Sequence, residues 1–321
     1  MMLLELQISL AVILDQLCGD PRWLPHPVRL LGNFALLAEK GCRTLFTHKK
    51  TAGVLTVTIV LLAAGFTTAG LLYGLGLVNQ ALQMAAGVIL LYTCLAAKDL
   101  AVHSRAVYQA LQDHDLELAR KRVAMMVGRD TQHLDEAGIT RACIESVAEN
   151  IVDGVTAPLF YAALAGPVGA LLYKAVNTMD STFGYKNAKY REFGWAAARL
   201  DDLANFLPAR ITGLIIVAAA YMLRLGTNQA WRIFKRDRLR HASPNSGHSE
   251  AAVAGALGLQ LGGSNFYFGS LVHKPTIGNP EHPPRTKHIL LANRLLLITT
   301  LLAGLLFIGI RLAVTVYQGK P

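Results

Sequence analysis

The chain has 321 residues, 53% hydrophobic and only 16% charged, with a formal net charge of +10 and a mean hydropathy of +0.36. A soluble domain carries about 25% charged residues, so this composition points to the bilayer and argues against an ordinary soluble enzyme. The basic excess lies in loops between apolar runs, with no stripe of cations interleaved with aromatics, so nucleic acid is not the expected partner.

The N-terminal stretch "MMLLELQISLAVILDQ" carries Glu5 and no basic leader, which reads as a retained, membrane-associated helix rather than a secretory signal. The runs 52–74 and 75–97 are each long enough to cross a bilayer, have almost nothing between them, and predict a transmembrane hairpin over 52–97. Lys and Arg crowd the flanking loops 18–51 and 98–141, which places both in the cytoplasm. Residues 104–135 read as a soluble, charged helical insertion. Residues 141–250 form the main polar region, interrupted by 154–173, a run with Pro158, Pro167 and several glycines. Segments 211–223 and 251–272 are short or weakly hydrophobic. At least one of these three is expected to be a broken or re-entrant helix, tolerated only where protein or a watery cavity surrounds it. A final span is expected at 289–314. No linker, repeat or convincing strand appears, so the chain reads as a single membrane-embedded domain. Its expected fold is all-α and polytopic, with four to seven embedded helices. The four scattered cysteines, without any CxxC pair, read as ordinary buried thiols.

Three polar constellations stand at the edges of apolar runs, where charge is costly. In "RACIESVAENIVDG" (141–154), Arg141, Glu145, Glu149 and Asp153 recur every four residues, so a helix sets them in one stripe, with Asn150 beside it. Arg141 can pair with Glu145, but Glu149 and Asp153 have no cation at helical spacing, a pattern suited to a hard cation such as Mg²⁺. In "YKAVNTMDSTFGYKNAKY" (173–190), Asn177 and Asp180 share a face, flanked by Lys174, Lys186 and Lys189, which suits a metal-bound phosphate. In "RLDDLANFLPAR" (199–210), Asp201 and Asp202 precede Asn205 by about one turn, between Arg199 and Arg210. Each cluster also has an ordinary reading as a solvated face or helix end.

Two loops add candidates. "DQLCGDPRWLPHPVRLLG" (15–32) braces His26 with prolines, and "SPNSGHSE" (243–250) sets Ser243 and Asn245 before a helix whose free N–H groups suit an anion. There is no Walker or dinucleotide fingerprint, no HExxH, and no serine or cysteine nucleophile with an adjacent partner.

The motifs "GDPRWLPHPVRLLG", "RDT", "IESVAENIVDGVTAPLFY", "NTMDSTFGYKNAKYREFGWAAARLDDLANFLPAR" and "SPNSGHSEAAVAGALGLQLGG" together resemble the membrane-bound adenosylcobinamide-phosphate synthases of cobalamin biosynthesis. The resemblance covers nearly the whole chain in order. It departs at His248, where an aromatic residue is expected. It implies amide formation between a carboxyl of adenosylcobyric acid and the amine of 1-amino-2-propanol phosphate, or of aminopropanol, driven by ATP and assisted by Mg²⁺. On this reading Glu145, Glu149, Asn150, Asp180 and Asp202 are catalytic candidates. Glu149, Asp153, Asp180, Asp201 and Asp202 are candidate Mg²⁺ ligands. Arg129, Lys174, Asn177, Lys186, Arg199, Asn205, Arg210, Ser243, Asn245 and His26 are candidate substrate or phosphate partners.

The expected setting is the inner (cytoplasmic) membrane with a cytoplasmic active site, as a homo-oligomer or beside other late enzymes of the pathway. Because ATP is cytosolic, 154–173 should not make a simple crossing, or should cross only as a broken pair with another segment. Two alternatives use the same residues. "DDLAN" and "NTMD" are similar to the Mg²⁺–diphosphate motifs of intramembrane prenyl transferases, and a solute transporter would place such charges in mid-span.

Overall fold

The computed structural model describes residues 3–20, 26–185, 187–267 and 269–318. In chain order these form α1 (Leu3–Cys18), α2 (Pro27–Leu45), α3 (Lys49–Val78), α4 (Gln80–Tyr92), α5 (Ala97–Gln112), α6 (Leu116–Ala124) and α7 (Glu136–Ile151). There follow a π-helical turn (Val152–Thr156), α8 (Ala157–Phe183), α9 (Trp195–Ala204), α10 (Phe206–Met222), α11 (Thr227–Asp237) and α12 (Ser246–Leu257). Two strands, β1 (Gln260–Tyr267) and β2 (Ser270–Gly278), precede the last helix, α13 (Lys287–Gln318).

The protein is a predominantly helical, polytopic membrane protein. Among the described residues four helical stretches are long and apolar enough to cross a bilayer: Lys49–Val78, Gln80–Gln112, Glu136–Phe183 and Lys287–Tyr317. The number becomes five if α9 and α10 are taken as one bent span. Their outward faces are apolar, as lipid requires: on α13, Leu297, Leu301 and Leu305 stand one turn apart and are all exposed.

The caps explain several boundaries. The apolar hairpin turns at Asn79 rather than at Gly74, because the extended Asn79 accepts the Ala81 N–H at 2.7 Å and starts α4. Asp115 and Asp135 cap α6 and α7 in the same way, accepting from Leu118 and Gly138. The charged stretch 104–135 holds the end of α5, all of α6 and the loop that follows. The broken helix falls in 154–173: Gly166 takes a left-handed φ of 62°, which stops one helix, and Pro167 opens the next.

The all-α fold class holds, but the expectation of no convincing strand is corrected at 251–272. This run divides into α12 and the first strand of an antiparallel hairpin, in which Leu261 pairs with Ile277 and both are fully buried. Gly262 and Gly263 adopt positive φ where the register shifts, a bulge that only glycine makes cheaply. A run of small residues therefore carried strand punctuation, not a weak membrane signal. Cys18 is exposed, while Cys42, Cys94 and Cys143 are buried.

Where the sequence shows no linker, the chain nevertheless sorts into two compact units that alternate along it. The first comprises Met1–Ala96, Ala157–Asn205 and Gly304–Pro321. Its core brings Cys42, Val57, Val60, Met179, Phe183 and Phe193 together from α2, α3, α8 and the segment before α9. Gly53 is required there, because a Cβ would overlap the carbonyl of Phe193. Arg43 covers the Phe193 ring at 4.1 Å and bonds Glu39 at 2.8 Å. Buried Glu5 of α1 meets Arg311 at 3.6 Å and accepts the Thr315 hydroxyl at 3.2 Å, which explains a carboxylate in an apolar helix.

The second unit comprises Ala97–Thr156 and Phe206–Ala303. At its centre lies α12, buried from Gly247 to Leu257 without a break. Its small side chains let neighbours approach to backbone distance: a Cβ on Gly255 would press on the Gln229 carbonyl of α11. Asp237, fully buried at the end of α11, accepts the Gly278 N–H at 2.8 Å and the N–H groups of Arg236 Nε and Nη2, tying the hairpin to that helix.

Candidate functional site

Because α12 is buried on every side, its Glu250 carries a carboxylate into the interior of the second unit. There it lines a cavity of about 130 Å³ with Arg129, Glu145, Ser146, Glu149, His241, Asn265, Tyr267 and Lys274. Glu145, from α7, is held by Arg129 and accepts the Gly262 N–H at 2.6 Å. Arg129 also donates to Asn265 Oδ1 at 2.9 Å, and its side chain and that of Glu145 are only 8% and 7% exposed. The adjacent Asp130 N–H donates to the Phe266 carbonyl, and its carboxylate accepts the Gly269 N–H at 2.7 Å. The hairpin is thereby fastened over the loop 126–131 and α7.

Glu149, one turn beyond Glu145, is exposed at this cavity and accepts the Ser246 hydroxyl at 3.2 Å. His241 Nδ1 accepts the Ser243 N–H at 3.0 Å, so the neutral ring carries its proton on Nε2, 3.7 Å from Glu250 Oε1. Burial, then the charges of Glu149 and Glu145, push the Glu250 carboxyl well above the usual carboxylate range against the opposing Lys274 and Arg129. Burial also lowers His241, so the imidazole is neutral near pH 7.

Several expected residues act locally. Ser243 Oγ accepts the N–H groups of Asn245 and Ser246 and so shapes the turn before α12. Asn150 donates to the Ser146 carbonyl at 2.9 Å. Arg210 donates to the Phe206 carbonyl and stacks on that ring at 3.5 Å. The acidic stripe is corrected in two respects. Glu145 takes Arg129 rather than Arg141, and the π turn after Ile151 changes the helical pitch between Glu149 and Asp153. Asp153 is half-buried in that turn.

The other expected carboxylates belong to the first unit. Asp201 sits among Asp180, Asp202, Asn177 and Asn205. Its Oδ2 accepts the Asn205 amide at 3.0 Å, while its buried Oδ1 has no hydrogen-bond partner. Asn205 also accepts the Tyr173 hydroxyl at 2.9 Å. Arg199 approaches Asp202 at 4.0 Å. Lys174 is half-buried on α8, and His26 lies 3.5 Å from Asp20. Lys186 lies outside the described residues, as do positions 21–25 of the proline-braced loop. The three acidic patches therefore divide between the two units. Among the described residues no three His, Cys, Asp or Glu side chains converge into a metal-binding group.

Sequence reasoning missed His241, Glu250, Asn265, Tyr267 and Lys274 as site residues. Glu250 had a signal, an acid inside a helix of alanines and glycines. The hairpin residues had none, because their strands were not recognised.

His248, the departure from the expected pattern, is fully buried beside the Phe234 ring at 5.9 Å, with neither ring nitrogen bonded. Burial, then Arg210 and Arg238, lower its pKa to about 4. An unsatisfied buried polar group costs roughly 1–3 kcal/mol, so His248→Phe is expected to raise the thermal midpoint. The gain grows as pH falls from about 6.5 towards 4, where the unfolded chain takes up a proton that buried His248 refuses. A scanning-fluorimetry series over that range checks both; a variant less stable than the parent throughout would overturn the expectation.

These features define a polytopic helical membrane protein that encloses a charged pocket in one of its units. Residues 8–296 match the family model described as CobD/Cbib protein. A protein of Desulfotalea psychrophila named cobalamin biosynthesis protein CobD is 48% identical over 97% of this chain and 99% of its own length. Proteins of the same name from Geobacter metallireducens and Streptococcus sanguinis are 50% and 46% identical, over 85% and 94% of this chain and 86% and 95% of theirs. The chain belongs to the CobD/Cbib family of cobalamin biosynthesis. No solved structure matches it.

Proposed function

We propose that this protein joins adenosylcobyric acid to 1-amino-2-propanol phosphate, or to aminopropanol, in an ATP- and Mg²⁺-dependent amide ligation at the cytoplasmic face of the inner membrane. The observation that carries the reading, beside family membership, is the pocket around Glu250. There carboxylates and cations line one small cavity, the residue types an amine nucleophile and a phosphate need.

A carboxylate is a poor electrophile, so the corrinoid carboxyl oxygen first attacks the γ-phosphorus of ATP, releasing ADP and leaving an acyl phosphate. The amine nitrogen then attacks the acyl carbon and inorganic phosphate leaves. The nitrogen must shed a proton to attack. Nε2 of His241 already carries one, so Glu149 or the ionised form of Glu250 is the acceptor, forming a carboxyl O–H as the N–H bond breaks.

On this reading the divalent cation binds beside Asp201 of the first unit, and substrate phosphates complete a shell that the carboxylates alone do not form. Asp201 has an orphaned buried oxygen among the carboxylates of Asp180 and Asp202, and Mg²⁺ is commonly held by one or two carboxylates plus substrate phosphates. Bound there, Mg²⁺ would neutralise phosphate charge. Asn177 and Asn205 would orient the carboxylates.

The test is direct: the purified protein is incubated with adenosylcobyric acid, ATP, Mg²⁺ and each amine donor, and products are identified by mass. Adenosylcobinamide phosphate with release of ADP is expected; no amide with either donor would refute the reading. One observation favours prenyl transfer instead, an apolar groove of about 390 Å³ lined by Leu30, Leu31, Phe34, Ala64, Leu71 and Leu171. That reading requires incorporation of a labelled prenyl diphosphate.

A further inference from the structure

We infer that the cavity beside α12 is the subsite of the small amine reactant and binds it as a zwitterion, its ammonium at Glu149 and Glu250 and its phosphate monoester at Lys274. The inference rests on the ligation reading and assigns one reactant to one place.

Size is the first argument. The cavity measures about 130 Å³, whereas pockets for drug-sized ligands span about 300–1,000 Å³. Neither a nucleoside triphosphate nor a corrinoid fits inside, so of three reactants only the amino-alcohol phosphate, with nine heavy atoms or about that, can be enclosed.

Charge is the second. Three carboxylates (Glu145, Glu149, Glu250) and two cations (Arg129, Lys274) line the cavity. Arg129 and Glu145 are consumed by one another, with Asn265 and the Gly262 N–H completing their bonds. His241 is locked to Ser243. What remains for a ligand is two carboxylates and one ammonium. Glu149 is exposed at the cavity, and Lys274 projects from β2, half-buried, with its Nζ 4.9 Å from the Tyr267 ring. A dianion would meet Glu149 and Glu250, and a plain cation would meet Lys274. A compact molecule carrying both charges satisfies all three. Arg129, expected from sequence to hold phosphate, instead positions the hairpin that carries Lys274.

The full chain in nanodiscs is titrated calorimetrically with 1-amino-2-propanol phosphate, with 2-propyl phosphate, which lacks the amine, and with 1-amino-2-propanol, which lacks the phosphate. The zwitterion should bind at least tenfold tighter than either truncated compound. Lys274→Met should abolish the preference for phosphate over hydroxyl, and Lys274→Arg should restore it. Glu149→Gln and Glu250→Gln should abolish the preference for the amine. In turnover assays Lys274→Met should raise the donor KM at least tenfold while the KM for ATP stays unchanged. Lack of discrimination by the parent protein, or a folded Lys274→Met that keeps the phosphate preference, overturns the subsite. If amide forms and Lys274→Met has the parent's donor KM, the subsite falls and the ligation stands. If the binding pattern appears but no amide forms with any donor, the ligation reading falls and the zwitterion site stands.

Discussion

Arg129→Met is expected to lower the thermal midpoint by about 10 °C and to abolish turnover, because it strands Glu145 in the second unit. Breaking one partner out of a buried ion pair costs about 3–5 kcal/mol, and each kcal/mol moves the midpoint of a unit of this size by about 2–4 °C. Surface ion pairs contribute far less, but both side chains here are more than nine-tenths buried. Arg129 also holds Asn265 of β1, so its loss loosens the hairpin that presents Lys274. The double variant Arg129→Met/Glu145→Leu separates structure from function. With the charge removed from both sides, most of the lost stability should return, as replacement of a buried pair by apolar groups is often close to neutral. Turnover should not return, since Gly262 and Asn265 lose their anchors. A double variant that regains both stability and activity would reduce this pair to packing.

The sequence made some of this arrangement legible and hid the rest for definable reasons. Long apolar runs and flanking cations announce bilayer helices, and α3 and α13 stand where hydropathy put them, within a few residues. The Gly166–Pro167 break was visible because both residues have strong backbone preferences. Strands β1 and β2 were not, since "GGSNFYFGSLVHKPTIG" alternates poorly and its glycines serve a bulge. The helical stripe through Glu145, Glu149 and Asp153 assumed a constant 3.6-residue pitch, and a π turn has no sequence mark. Glu145 and Arg129 were both singled out, but their pairing joins residues 16 apart across a loop, beyond the reach of helical spacing. The acids at 180, 201 and 202 fall in one compact unit and those at 145–153 in the other. Residue type carries no information about which compact unit a segment joins.

Glu250→Gln is expected to stabilise the protein above pH 6.5 and to lower turnover by at least two orders of magnitude. The sign follows from the raised pKa. A carboxyl whose folded pKa lies above its unfolded value of about 4.3 costs nothing while protonated in both states. As pH rises, the unfolded chain releases that proton first, so stability falls until the folded pKa is passed. His241 is depressed by burial and acts oppositely, with loss only as pH falls below about 6.5. Above about pH 6.5 the His241 contribution fades, and the difference in slope that remains between the two proteins is that of Glu250. With rising pH the parent's midpoint should decline until the buried carboxyl ionises, and the Gln variant's should decline less. Glutamine keeps the shape and the hydrogen-bonding capacity but neither carries the charge for an ammonium nor accepts its proton, and loss of a positioned base costs about 10²–10⁴ in rate. Thermal scans and initial rates on the same preparations decide the matter. A Gln variant with the parent's pH slope and the parent's rate would make Glu250 an ordinary buried acid, and the cavity around it would lose its chemistry.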